Sequence, residues 1–242
     1  WHISLTMKGE IRMPKYLPDI IYKQERNGTA VVDSDQAYYE LPFTKSKEYF
    51  DSIANWTNFV KGVERLVRQS DKYSKYISYL KKECKLNRCM VLKDVTDDDA
   101  DIEMHHGPIL TLFDVCAIVT EYFILKQWKT TTFRVAKQVL QDHHDNMVQV
   151  VMLSSTVHEE VHAHNIFINY HQAWGDLNKF IDKYRAAIGM DYRYKINQYL
   201  EKCLLNDTDD HEILSLSQSL FKDIKKEGSR VIRLPFFLTF LL

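Results

Sequence analysis

"QVVMLSSTVHEEVHAHN", residues 149–165, joins a β-prone run to a short helix that presents two histidines. Val150 to Leu153 form the apolar run, and Ser154, Ser155 and Thr156 are all suited to cap a helix. Glu159 or Glu160 then supplies the acid of the first turn. On that helix His158 and His162 stand four residues apart, so both project from one face and can share one ion. The five letters His158-Glu159-Glu160-Val161-His162 fit both H-E-x-x-H and the looser H-x-x-x-H. The residues around them have to choose.

Eight of the ten histidines fall between 105 and 171, in pairs at 105/106, 143/144, 158/162 and 164/171. One histidine in a core is ordinarily a satisfied polar side chain. Four pairs in a third of the chain point instead to metal or proton chemistry. "DIEMHHG" (101–107) reads as a strand ending on the doublet His105-His106, with Asp101 and Glu103 as flanking carboxylates. Helices are expected over 109–127 and 131–142, the second opened by Thr131 or Thr132. "DHHD" (142–145) closes that helix, where imidazole suits the dipole, and reads as structural or solvent-exposed. His164 reads as an exposed loop residue beside the site; His2, His171 and His211 carry no role.

The composition is that of a soluble globular protein, 45% hydrophobic and 27% charged over 242 residues, with a net charge of −1. Charge is nevertheless polarised. Twelve Lys/Arg stand against five Asp/Glu between Lys45 and Lys93, a balance of +7, and the acidic "DVTDDDAD" (94–101) follows. Such a stretch suits either a basic face against nucleic acid or a solvated helix face. No CxxC occurs among the four cysteines, which fits free thiols in a reducing compartment. Asp114 and Glu121 interrupt the apolar run at 109–125, against a membrane span. With seven glycines and no GxGxxG or GxxxxGK[ST], a nucleotide-phosphate cradle is not expected.

The expected fold class is α+β, mainly helical. Residues 1–44 read as an extended N-terminal segment with Pro14, Pro18, Pro42 and a hairpin-like turn at Asn27-Gly28. Residues 45–88 read as a basic helical region, two helices meeting near Ser70-Asp71, with Tyr73, Tyr76 and Tyr79 as packing residues. "CMVLKDV" (89–95) alternates like a strand, "NIFINY" (165–170) resembles another, and 177–188 and 194–204 look helical. The pattern divides into a metal module over 89–172 with a helical insertion at about 109–142, C-terminal helices over 173–228 and an apolar tail over 229–242. The start at Trp1 and the tail "VIRLPFFLTFLL" suggest a fragment, or flanks at 1–12 and 229–242 that are not native.

A zinc peptidase would need a third ligand after H-E-x-x-H. No G-x-x-H follows His162, the best downstream carboxylate is Glu201, and the motif opens its helix directly after a strand. That leaves the peptidase third. Read outward, the order of histidine doublet, amide residue, strand and H-x-x-x-H helix resembles the HNH, or ββα-metal, endonuclease superfamily. The chain also resembles bacteriophage proteins.

The resemblance implies a small ββα-metal core carrying a long helical insertion. It implies that His105, His158 and His162 bind a single divalent ion (Mg²⁺, Mn²⁺, Ni²⁺ or Zn²⁺), with His106 as the general base that deprotonates the attacking water. An amide residue would orient that base through its carbonyl oxygen: Gln149 by spacing, or Asn146 by chemical type. The substrate would be double-stranded DNA in the host-cell cytoplasm, held by residues 45–90 through phosphate contacts. The chain departs from the pattern at three points. Residues 107–148, 42 in number, separate doublet from amide; Gln replaces the central Asn; and Ser154 and Val157 stand near the places of the structural cysteines. The leading expectation is an HNH-like endonuclease that hydrolyses DNA phosphodiester bonds; the Gln149 departure and the long insertion favour the alternative, a non-catalytic phage structural or DNA-associated protein on the same scaffold.

Overall fold

The computed structural model describes residues 44–205 and 207–222, and the described residues from Ser46 onward belong to one unit of the chain. The expected extended N-terminal segment (but for Thr44) and the apolar tail lie outside the described residues.

Two helices open the described chain where the apolar spacing predicts them. In α1 (Ile53–Arg68), Trp56, Phe59, Val60, Val63 and Val67 recur at three- and four-residue steps and are buried. In α2 (Asp71–Lys82) the stripe is Tyr73, Tyr76 and Leu80, while Tyr79 is exposed. Ser70 ends one helix and caps the next, its hydroxyl accepting from the Tyr73 N–H at 3.1 Å.

The helices expected over 109–127 and 131–142 stand between the two paired strands in the chain. Helix α3 (Leu112–Leu125) is apolar almost all round and buries eight residues, which places it at the centre of the core. A reciprocal capping box between Thr111 and Asp114 fixes its start. Helix α4 (Thr132–His144) is capped by Thr131, and α1, α3 and α4 pack together. Helices α6 (Leu177–Tyr184), α7 (Met190–Leu204) and α8 (His211–Phe221) complete the described chain. The buried Asp142 carboxylate ties α4 to α6, accepting from Lys183 Nζ (2.6 Å), Tyr184 Oη (2.5 Å) and Gln138 Nε2 (3.0 Å). "DHHD" is therefore structural at Asp142.

Among the described residues, one antiparallel strand pair carries the regular β structure. Strand β1 (Ile102–His106) pairs with β2 (Val150–Ser154), Ile102 opposite Ser154 and His106 opposite Val150. Helix α5 (Ser155–His162) follows β2 without a connecting loop. Two expected strands do not form. Residues 89–95 make a loop closed by a bridge between Arg88 and Thr96, and the loop meets the hairpin where the Met90 N–H donates to Met152 O at 2.7 Å. There the Asp99 carboxylate accepts from both the N–H and hydroxyl of Thr96, offering the backbone an alternative to a ladder. Residues 165–170 lead into a 3-10 turn at Tyr170–Gln172, fixed by a capping box from Asn169. Just beyond, Trp174 exchanges both backbone hydrogen bonds with Val150 at 2.8 Å, a single-residue extension of the sheet.

Gly175 is needed at that approach. Its φ is +115°, and a Cβ there would stand 2.4 Å from Val148 O. Among the described residues no helix is long and apolar enough to cross a membrane, and all four cysteines are free.

Candidate metal centre

Strand alternation sorts the doublet onto opposite faces of β1. Ile102 and His106 face the core, whereas Glu103 and His105 face the side that α5 covers, since α5 packs against both strands. On α5 the four-residue step then brings His158 and His162 over that face. Ligand nitrogens of His105, His158 and His162 lie within 4.8 Å of one another, and among the described residues no other group of three does so.

The donor set fits one transition-metal ion. His158 Nε2 lies 3.0 Å from His162 Nε2. Two nitrogens bound tetrahedrally at about 2.0–2.1 Å from zinc stand about 3.4 Å apart, so a small opening of the pair admits the ion. His158 Nδ1–H donates to Glu103 Oε2 at 2.5 Å, which leaves the Nε2 lone pair for a metal. Burial, and then the neighbouring His158 and His162, push His105 down to about 4, so its imidazole is neutral at physiological pH and free to coordinate. Gly107, at φ +152°, clears the same ligand, because a Cβ there would come 3.1 Å from His105 Nε2. His162 is exposed and the other two half-buried, so solvent reaches the position that three protein ligands leave open.

The other residues of the resemblance are not at this centre. His106 is 6% exposed and turned into the core, its ring stacked on Tyr73 at 5.9 Å. Its Nε2 lies 3.0 Å from His143 Nε2. His143 Nδ1–H donates to Val139 O at 2.7 Å, so His143 Nε2 is the acceptor and His106 Nε2–H the donor. Burial holds both imidazoles neutral: His143 is pushed down to about 4 and His106 well below its ordinary value. The amide oxygens Oε1 of Gln149 and Oδ1 of Asn146 are buried with no hydrogen-bond partner, so neither orients His106.

Glu201, the carboxylate the peptidase reading needs, accepts instead from Asn197 Nδ2 at 2.6 Å within α7. The third member of the group comes from β1, upstream of the motif. The partnership of His143 with His106 was missed by reading the sequence. The spacing of Val135, Val139 and His143 at four-residue steps along the buried face of α4 signals that His143 is buried, but not which residue it meets. The lysines of the basic stretch do lie outward on α2, with Lys72, Lys75 and Lys82 exposed, and Lys81 Nζ is drawn inward to Ile102 O at 2.6 Å.

A family model described as Bacteriophage G278-like virion protein matches residues 6–229, nearly the whole chain. No match to an HNH nuclease family accompanies it. No curated protein and no solved structure gives a significant match.

Proposed function

Because this chain belongs to the Bacteriophage G278-like virion protein family, we propose that it is a non-enzymatic component of the phage particle. In this reading His105, His158 and His162 hold one divalent ion that fastens helix α5 to the hairpin. Bound there, the ion supplies a cross-link between β1 and α5, and it stabilises the folded chain by mass action. Three imidazole ligands favour zinc or another late first-row ion over Mg²⁺, which prefers oxygen ligands and keeps its waters. The protein would be made in the host cytoplasm and end in the particle, where a solvated basic face on α2 could lie against packaged DNA.

One observation carries the choice against turnover: the residue cast as general base, His106, is buried against His143 on the face opposite the three candidate ligands. A general base must come within hydrogen-bond reach of the water it deprotonates. The runner-up, an HNH-like endonuclease, draws on the ββα order of β1, β2 and α5 with its three histidines. It would require His106 to leave His143.

Plasmid incubation separates the two. The purified chain with Mg²⁺, Mn²⁺, Ni²⁺ or Zn²⁺ is expected to leave supercoiled DNA intact. Nicking abolished both by a chelator and by His106→Ala would overturn the structural reading in favour of the nuclease.

A further inference from the structure

The three-histidine centre is incomplete for the role of a cross-link. Structural zinc sites are as a rule closed by four protein ligands, whereas three ligands and an open position mark an ion that meets an outside molecule. His105, His158 and His162 stand together, and among the described residues no fourth histidine, cysteine or carboxylate joins them. Two carboxylates that flank these histidines in the chain are committed elsewhere. Glu103 Oε2 accepts from His158 Nδ1 at 2.5 Å, and Glu160 Oε2 accepts from Asn165 Nδ2 at 2.7 Å. The position they leave open is reached from outside, because His162 is exposed.

The same turn carries a spare ligand. Helix α5 ends at His162, and residues 162–165 are all exposed. Two backbone bonds close the turn: the His164 N–H donates to Val161 O at 3.1 Å and the Asn165 N–H to Glu160 O at 2.9 Å, with His164 at φ +61°. His164 is thus held close to the centre in the chain without belonging to it, and among the described residues its imidazole has no hydrogen-bond partner. Three residues on, Phe167 is 44% exposed, its ring stacked on Tyr199 at 4.8 Å. An exposed aromatic on the turn adds the kind of contact in which interface cores are enriched.

A two-fold pair of chains answers both halves of this pattern at once. In such a contact, whatever a residue does for the neighbouring chain, its equivalent does in return. An unfilled site and an unused ligand on one exposed turn are therefore complementary to a second copy of that turn. We propose that a second copy of this chain docks on the α5 turn, His164 of each copy filling the fourth position of the other's ion. The inference rests on an ion at His105, His158 and His162. It adds that the ion joins chains as well as elements, which suits a component of an assembled particle.

The test is sedimentation velocity of the full chain, in EDTA or with one equivalent of Zn²⁺, with the zinc bound per chain measured alongside. The wild-type chain is expected to be a monomer in EDTA and, with Zn²⁺, a dimer holding one ion per chain. His164→Ala is expected to bind its ion more weakly and to stay a monomer. His162→Ala, which keeps the donor and loses the site, is expected to stay a monomer as well. An equimolar mixture of the two variants should then recover a dimer with a single bridging ion, which misfolded variants would not give. A wild-type chain that binds one ion and remains a monomer would overturn this inference and leave the metal centre standing. A dimer that persists in EDTA, a zinc dimer that survives His164→Ala, or a mixture that stays monomeric would overturn it too. No zinc bound by the folded wild-type chain would remove the metal centre itself, and the inference with it.

Discussion

Glu103 and His158 meet across the junction of hairpin and helix, carboxylate Oε2 to imidazole Nδ1 at 2.5 Å. The contact joins residues 55 apart in sequence, and it sets which nitrogen of His158 faces His105 and His162. Carboxylates behind ligating histidines fix the tautomer and raise ligand basicity, and their loss typically weakens metal binding about 10–100-fold. Glu103→Gln is therefore expected to retain the fold and lose affinity for Zn²⁺ in that range, read by competition with a chromophoric chelator. An unchanged affinity would show that Glu103 does not support the site.

Metal binding should appear as stability. A ligand at about 100 times its dissociation constant adds about 2.7 kcal/mol to a state that alone binds it. Excess Zn²⁺ should raise the Tm of the wild-type chain by several degrees and leave His105→Ala unmoved. A shift of equal size in the variant would place the ion elsewhere.

The buried imidazole of His143 predicts a pH dependence with a definite sign. Its folded value of about 4 lies below the ordinary value of 6.5, so protonation favours the unfolded chain. This burden is absent above pH about 6.5 and grows as the pH falls toward 4, reaching on the order of 3 kcal/mol. Urea unfolding at pH 7.5 and pH 5, with a chelator present, should show a larger loss in wild type than in His143→Leu. Equal losses would contradict the assignment.

Gly175 is expected to resist substitution. Its positive φ alone costs a side chain about 1–3 kcal/mol, and a methyl would collide with Val148 O besides. Gly175→Ala should lower the Tm well beyond what Gly62→Ala does, where the new methyl meets only Thr132 Cγ2 at 3.6 Å.

Much of this arrangement was legible in the residues. The periodic stripes of α1, α2 and α4 gave their positions, and the alternation of "DIEMHHG" gave the strand that carries His105. The H-x-x-x-H step on a helix following β2 gave the other two ligands. What stayed hidden was long-range. No local pattern announces that His106 will find His143, because that pairing depends on α4 packing against α2 and on the core it closes. For the same reason nothing local shows that the segment over 109–142, which stands between the two paired strands, supplies the centre of the hydrophobic core. The strand patterns at 89–95 and 165–170 failed where side-chain bonds at Thr96 and Asn169 competed with the ladder.

The most direct measurement is a calorimetric titration of the metal-free chain with Zn²⁺, repeated on His158→Ala and His162→Ala. One ion bound per chain, with affinity collapsing in both variants while their far-ultraviolet spectra stay native, is the predicted result. Saturable binding that survives both substitutions, or no binding by the folded wild-type chain, would contradict a metal centre at His105, His158 and His162.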